Sequence, residues 1–323
     1  MEAIFVPKDA EPDAVETVLA PVDTEAQLEA LFSDERIGQL AEEYLTGGNP
    51  EGLNLKEMAG DRQFVVAYIP AESPYADIPR SVETKVFAKA FKQSLTEVVE
   101  DYGKYDSESV FATVIDVSAP VPTAAAALRI THYNPELGVK DVNDLLVDNP
   151  ENPWIQEIKD NYFADGEAYN PALAWKRLGE KAIGAELVLE DSLDIATHAS
   201  AEGYNGQHGE MGGASMLFYH ACLRYALAHG KKNLLAIFDL PPLANLQQFG
   251  DPFDTYEGLE AHPYGGPYDT IPAFCVMETG MQRIRDNNEW VGQGFIDGIG
   301  LDQHALLPNE YQPEIYSNEA VNL

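Results

Sequence analysis

Residues 192–250 constrain the fold of this chain more than any other stretch. They spell a strand (SLDIATHAS), a glycine-rich loop (NGQHGEMGG), a long helix, an apolar strand (NLLAIFD) and a short helix, in that order. A strand, a helix and a neighbouring strand close with parallel pairing and a right-handed crossover. The helix, expected from about Gly213 to His229, carries Ser215, Tyr219, His220 and Arg224 on one polar stripe and is otherwise apolar, as a helix laid on a sheet must be. Gly230 suits its C-terminal cap, and Lys231 and Lys232 lie near the negative end of its dipole. Residues 234–238 form a continuous apolar run, the pattern of a parallel strand covered on both faces. Pro241 and Pro242 then open a short helix that Gly250 ends.

Strict alternation in the first strand places Leu189, Leu193, Ile195 and Thr197 on one face and Ser192, Asp194, Ala196 and His198 on the other. Asp194 and His198 are separated by about 13 Å at roughly 3.3 Å per residue, too far for a hydrogen-bonded dyad, so each is an independent candidate. The loop brings backbone amides to a helix N-terminus, an arrangement that favours a phosphate. Its glycines, Gly206, Gly209, Gly212 and Gly213, fit neither the Walker spacing nor the dinucleotide fingerprint.

The flanks read as an α/β chain. Residues 24–45 repeat apolar positions at helical spacing until Gly47-Gly48-Asn49-Pro50 stops them. Residues 64–69 (FVVAYI) predict a strand, and residues 82–99 an amphipathic helix after it. Residues 109–117 and 124–131 predict an antiparallel hairpin across a proline-bearing turn. Residues 136–182, with Trp154 and Trp175, read as a mostly helical insertion over the surface. The expected organisation is a helical extension over 1–60, a main domain over 61–285 with an insertion at about 136–182, and a tail over 286–323.

Charge narrows the partners. The chain holds 54 Asp and Glu against 20 Lys and Arg, a formal net charge of −34. A groove that tracks nucleic acid or anionic lipid needs clustered cations, so neither is expected. The acidity suits a solvated surface in a salty or crowded environment, or one that attracts a cationic protein partner; a homo-oligomer is also compatible with it. Cys222 and Cys275 lie in apolar surroundings without metal-ligand spacing and read as buried thiols. The start of the chain lacks the pattern of a signal peptide and no stretch has the length of a membrane span, so a cytoplasmic protein is expected.

Taken with its flanks, the 192–250 unit resembles the acyl-CoA binding half of the GCN5-related N-acetyltransferase (GNAT) superfamily, with Gly212-Gly213-Ala214 at the helix start. The resemblance is to the autoinducer-synthase and long-chain N-acyl amino acid synthase branch, and it covers roughly residues 62–280. Val86-Phe87, Tyr102-Gly103-Lys104-Tyr105-Asp106, Ala127-Leu128-Arg129-Ile130, LANLQQFGDPFDTYEG and YGGPYDTIPAFCVME follow that branch's order of elements. The resemblance implies a mixed, twisted sheet flanked by helices that splays at the strand carrying Asp194, with a pantetheine arm in the splay. It implies pyrophosphate binding at Gly209, Gly212, Gly213, Ala214 and Ser215. It further implies N-acyl transfer from acyl-CoA or an acyl carrier protein, used as co-substrate with no permanently bound cofactor, to a small amine.

That chemistry needs a base for the incoming ammonium, donors for the tetrahedral oxyanion and an acid or water for the leaving thiolate. Asp194 occupies the branch's usual carboxylate position, and His198 is the second candidate base. Backbone amides freed where the strands part are the expected oxyanion donors. Gly209 stands where Gln or Arg usually opens the loop, with Glu210 beside it. Leu246 stands where many superfamily members carry a thiolate-protonating tyrosine, which leaves Tyr204, Tyr256 and Tyr264 as possible acids. Two other readings stay open: a non-catalytic GNAT-fold binding or assembly protein, and a metal hydrolase using His198, His208, Glu210 and His220.

Overall fold

The structure, a computed structural model, describes residues 24–204, 213–248, 250–287 and 289–312. In chain order the elements are α1 (Thr24–Leu31), α2 (Asp34–Leu45), α3 (Leu55–Ala59), β1 (Phe64–Pro70), α4 (Asp77–Phe91), α5 (Leu95–Gly103), β2 (Ser109–Asp116) and β3 (Thr123–His132). There follow α6 (Lys140–Leu146), α7 (Ile155–Tyr162), α8 (Pro171–Ile183), β4 (Ser192–Ser200), α9 (Ala214–Ala228), β5 (Asn233–Asp239) and α10 (Leu240–Gln248). Last come β6 (Asp254–Thr255), β7 (His262–Pro263), β8 (Asp269–Val276), α11 (Met277–Asn287), α12 (Glu289–Phe295) and β9 (Ala305–Leu306).

One nine-stranded mixed sheet runs β6-β8-β5-β4-β3-β2-β1-β9, with β7 also paired to β8. β1 to β4 are antiparallel, β4 and β5 are parallel, and β5 and β8 are antiparallel. Helices cover both faces. On one, α9 buries Leu217, Phe218 and Ala221 against Val66, Leu128 and Leu193, joined by Met281 of α11 and Phe295 of α12. On the other, α2 and α4 cover Val65, Ala67 and Phe111, while α6 to α8 cover Leu235, Ile237 and Phe274. This is an α/β arrangement, a mixed sheet flanked by helices, as expected.

Four local expectations change. First, the alternation of β4 is interrupted: Ile130 faces Ile195 and Arg129 faces Thr197, so Ala196 has no partner and forms a β-bulge. The extra residue reverses the sidedness of everything after it. Thr197 therefore shares Asp194's face and His198 lies on the opposite one, packed 6.3 Å from the Phe218 ring. Leu189 belongs to a 3-10 turn before the strand.

Second, the helix expected over 82–99 is two. Lys92 takes a left-handed conformation at φ 58° and ends α4. Ser94 and Glu97 then form a reciprocal capping box that restarts the chain as α5. Third, the 136–182 segment is a packed layer rather than a surface decoration, since Trp154 is fully buried and Trp175 nearly so. Their indole N–H groups donate to the Glu260 and Leu187 carbonyls, which lets large amphipathic rings enter a core. Fourth, part of the segment read as a tail joins the sheet: β9 pairs in parallel with β1, Ala305 opposite Phe64.

Candidate active site

β4 and β5 pair only at Ser192 to Asp194 against Asn233 to Leu235. Beyond that point β4 runs on to Ser200 and β5 to Asp239 without further pairing. The sheet therefore opens after Asp194, and a cleft of about 480 Å³ passes through the opening. Its walls are β4 from Ile195 to Ser200, β5 from Ile237 to Asp239, the first turns of α9 and the apolar side of α4. Cleft and splay have one cause, because strands that diverge leave main-chain groups facing a gap that side chains alone do not fill.

The α4 side is held by a buried ion cluster. The Arg129 guanidinium donates to both Glu83 oxygens at 2.8 and 2.7 Å and to Asp106 at 2.7 Å. Thr197 Oγ1 donates to Glu83 Oε1 at 2.6 Å. Two parallel bonds between a planar guanidinium and a carboxylate fix angle as well as distance. The bulge contributes directly, since without it Thr197 would face away from α4.

The structure separates the candidate residues. Asp194 is completely buried and does not line the cleft. The layer in front of it is α6: the Asp141 amide donates to Asp194 Oδ2 at 3.3 Å, and Asp141 Oδ2 accepts the Ile237 amide at 2.7 Å. Burial first and mutual repulsion second push the Asp141 carboxyl well up; burial raises Asp194 as well. Lys140 bonds Asp144 at 2.6 Å and lies over the Tyr102 ring. His198 lines the cleft from the α9 side, 6.1 Å from the Tyr219 ring.

Gly213 is the N-cap of α9 and makes no side-chain cap bond; Ala214 is buried and Ser215 lines the cleft. Gly209 and Gly212 lie outside the described residues, as do His208 and Glu210. His220 is buried on the far side of α9, where Nδ1 bonds the Phe295 carbonyl at 2.9 Å. Among the described residues no group of three His, Cys, Asp or Glu side chains comes together as a metal site.

Of the three candidate phenols, Tyr204 donates to Asp116 at 2.9 Å away from the cleft, and Tyr256 is buried against Phe274 and Trp175. Tyr264 lines the cleft and bonds Asp144, and burial holds its phenol high. Sequence reasoning misses Lys140, Asp141 and Asp144, and assigns Tyr219 only to a polar stripe. Lys140 and Asp144 stand one helical turn apart in KDVND, a visible ion pair. No spacing rule links that helix to a strand residue 53 positions away.

No protein-family model matches the chain, and no curated protein does. Among solved structures it is similar to the AHL synthase LasI, at 10% identity over 67% of this chain and 91% of that one, with a TM-score of 0.38. It is similar to FeeM, an N-acyl amino acid synthase from uncultured soil microbes, at 10% identity over 69% and 95%, TM-score 0.42. It is also similar to BjaI, a CoA-dependent acyl-homoserine lactone synthase solved with SAM and isopentyl-CoA, at 9% identity over 76% and 93%, TM-score 0.41. Among the described residues no helix is long and apolar enough to cross a membrane.

Proposed function

We propose that this chain is an N-acyltransferase that moves an acyl group from a thioester, on CoA or a carrier protein, to a small amine. The observation that carries this reading is the parting of β4 from β5 after Asp194 and Leu235, with a cleft running through the gap. An extended pantetheine arm is an amide chain. A splayed strand offers it main-chain donors and acceptors in the spacing of a missing strand.

In this reading the thioester carbonyl lies in the gap, where strand amides stabilise the developing oxyanion. The acyl chain runs toward Val86, Phe87, Ala90 and Phe91 of α4, which line the apolar end. The donor's phosphate lies at the start of α9, on Gly213, Ala214 and Ser215 with Gly209 and Gly212 of the sequence motif before them. The N-terminus of α9 carries the positive end of the helix dipole, which favours an anion at that point. Asp194 stands at the apex of the splay behind Asp141, and His198 faces the α9 side of the cleft as the second candidate base.

The test is direct. Purified protein is incubated with acyl-CoA and acyl-pantetheine donors of graded chain length and a panel of amines. Free thiol is followed by colour and the amide by mass. Stoichiometric thiol and amide are expected; donor binding without either product would favour the non-catalytic reading.

A further inference from the structure

Asp194, the carboxylate that sequence position favours, is sealed off; the carboxylates of Asp141, Asp144 and Asp239 line the cleft, and of these Asp141 is the one bonded to Asp194. Asp141 comes from α6, within the 136–182 segment. One of its oxygens is tied to the Ile237 amide of β5, two residues past the last parallel pair partner, Leu235. Its amide donates to Asp194 Oδ2 behind it at 3.3 Å. Asp194 Oδ1 is buried with no hydrogen-bond partner among the described residues. Two carboxyl groups thus stand one behind the other at the apex of the splay, where the thioester carbonyl would lie.

We propose that Asp141 is the catalytic base toward the acceptor, that Asp194 is its positioning and proton-sharing partner, and that the acceptor is an amine lacking a carboxylate. This rests on the acyl-transfer reading above. In the step, the singly charged pair takes one proton from the acceptor ammonium and becomes neutral. The free amine attacks the thioester carbon; the C–N bond forms, the C–S bond breaks, and the departing thiolate takes the second N–H proton to leave as a thiol. Release of the stored proton to solvent restores the pair.

The charges around Asp141 fit this role. Asp194 faces it from β4, Tyr102 from α5, and Tyr256 and Tyr264 from the segment before β8; Asp144 and Lys140 share its helix. Lys140 bonds Asp144 and its charge also acts on Asp141 and Asp194; with the pair singly charged, these four groups together keep a net negative charge for an ammonium. Burial of the two groups together raises both, which brings a carboxyl base toward neutral pH. Among the described residues lining the cleft Lys140 is the sole Lys or Arg, and the sequence has none between Lys181 and Arg224. Lys140 is held by Asp144, and Asp141, Asp144 and Asp239 line the same cleft, so an acceptor carboxylate would meet an excess of negative charge there.

The experiment compares wild type, Asp141→Asn and Asp141→Glu across acceptors of graded ammonium pKa, including amino acids and their decarboxylated amines. For Asp141→Asn, kcat is expected to fall roughly 100-fold or more, with donor KM nearly unchanged. The deficit should shrink for acceptors already neutral at assay pH, a rescue that a purely structural role would not give. Decarboxylated amines should exceed the parent amino acids in kcat/KM. Turnover by wild type with unchanged kcat in Asp141→Asn, or preference for the amino acids, overturns the proposal. Infrared titration reads the pair independently of activity: a protonated-carboxyl band near neutral pH, lost in both Asp141→Asn and Asp194→Asn, is expected. Its absence from wild type overturns the pair, whereas its presence without turnover indicts the acyl-transfer reading alone.

Discussion

Thr197 Oγ1 donates to Glu83 Oε1 at 2.6 Å inside the sheet–helix interface, a contact that exists because Ala196 bulges out of β4. Glu83 in turn holds Arg129 through both oxygens, and both side chains are about 2% exposed. Removing one partner of a buried pair leaves an uncompensated charge. Glu83→Gln is therefore expected to lower unfolding stability by about 3–5 kcal/mol, read by urea denaturation. A Glu83→Leu/Arg129→Met double variant should recover much of that loss, and failure to do so would show that the cluster contributes net stability.

The carboxyl pair predicts a pH effect of opposite sign to the usual acid loss. Folding raises Asp141 and Asp194 through burial, so the native state binds more protons than the unfolded chain. This stabilisation is present at low pH and is lost as pH rises through the raised values. Asp194→Asn should then melt higher than wild type at pH 8, with the difference closing toward pH 4. A lower melting temperature at pH 8 would identify Asp194 as a stabilising group.

His220 gives the reverse slope. Burial pushes its imidazole down to about 4 from an ordinary value near 6.5, so the unfolded state binds the extra proton. Stability should fall as pH drops from about 6.5 to 4, by roughly 3 kcal/mol. His220→Gln should flatten that limb of the stability–pH curve. An unchanged limb would place the acid sensitivity elsewhere.

Ala90 lines the apolar end of the cleft between Phe87 and Phe91. Ala90→Phe is expected to shift donor preference toward short acyl chains, with kcat/KM for long donors falling tenfold or more while short donors change little. This is measured by competition between two donors in one reaction. Uniform loss at all lengths would mean that the chain does not run along α4.

Much of the scaffold follows from local pattern. The strand, helix and strand of 192–239 declare themselves by apolar runs, a glycine-rich loop and a polar stripe. The β2–β3 hairpin does so by alternation on either side of a proline-bearing turn. The break at Lys92 was also written locally, since Ser94 and Glu97 stand at capping-box spacing, although the apolar repeat of residues 82–99 runs across it. In the site, Ser215 and His198 both line the cleft, His198 from the face opposite to the one that strict alternation gives it.

What the sequence alone determined is therefore the order of elements and the parallel crossover, because hydrophobic period, caps and turns act over a few residues. Tertiary structure decided which groups meet at the splay. A bulge forms through the register of a neighbouring strand and turns His198 from the face of Asp194 to the other. Asp141 reaches Asp194 only because a distant helix packs over the gap between β4 and β5. Both outcomes depend on contacts between segments far apart in the chain, which no local periodicity encodes.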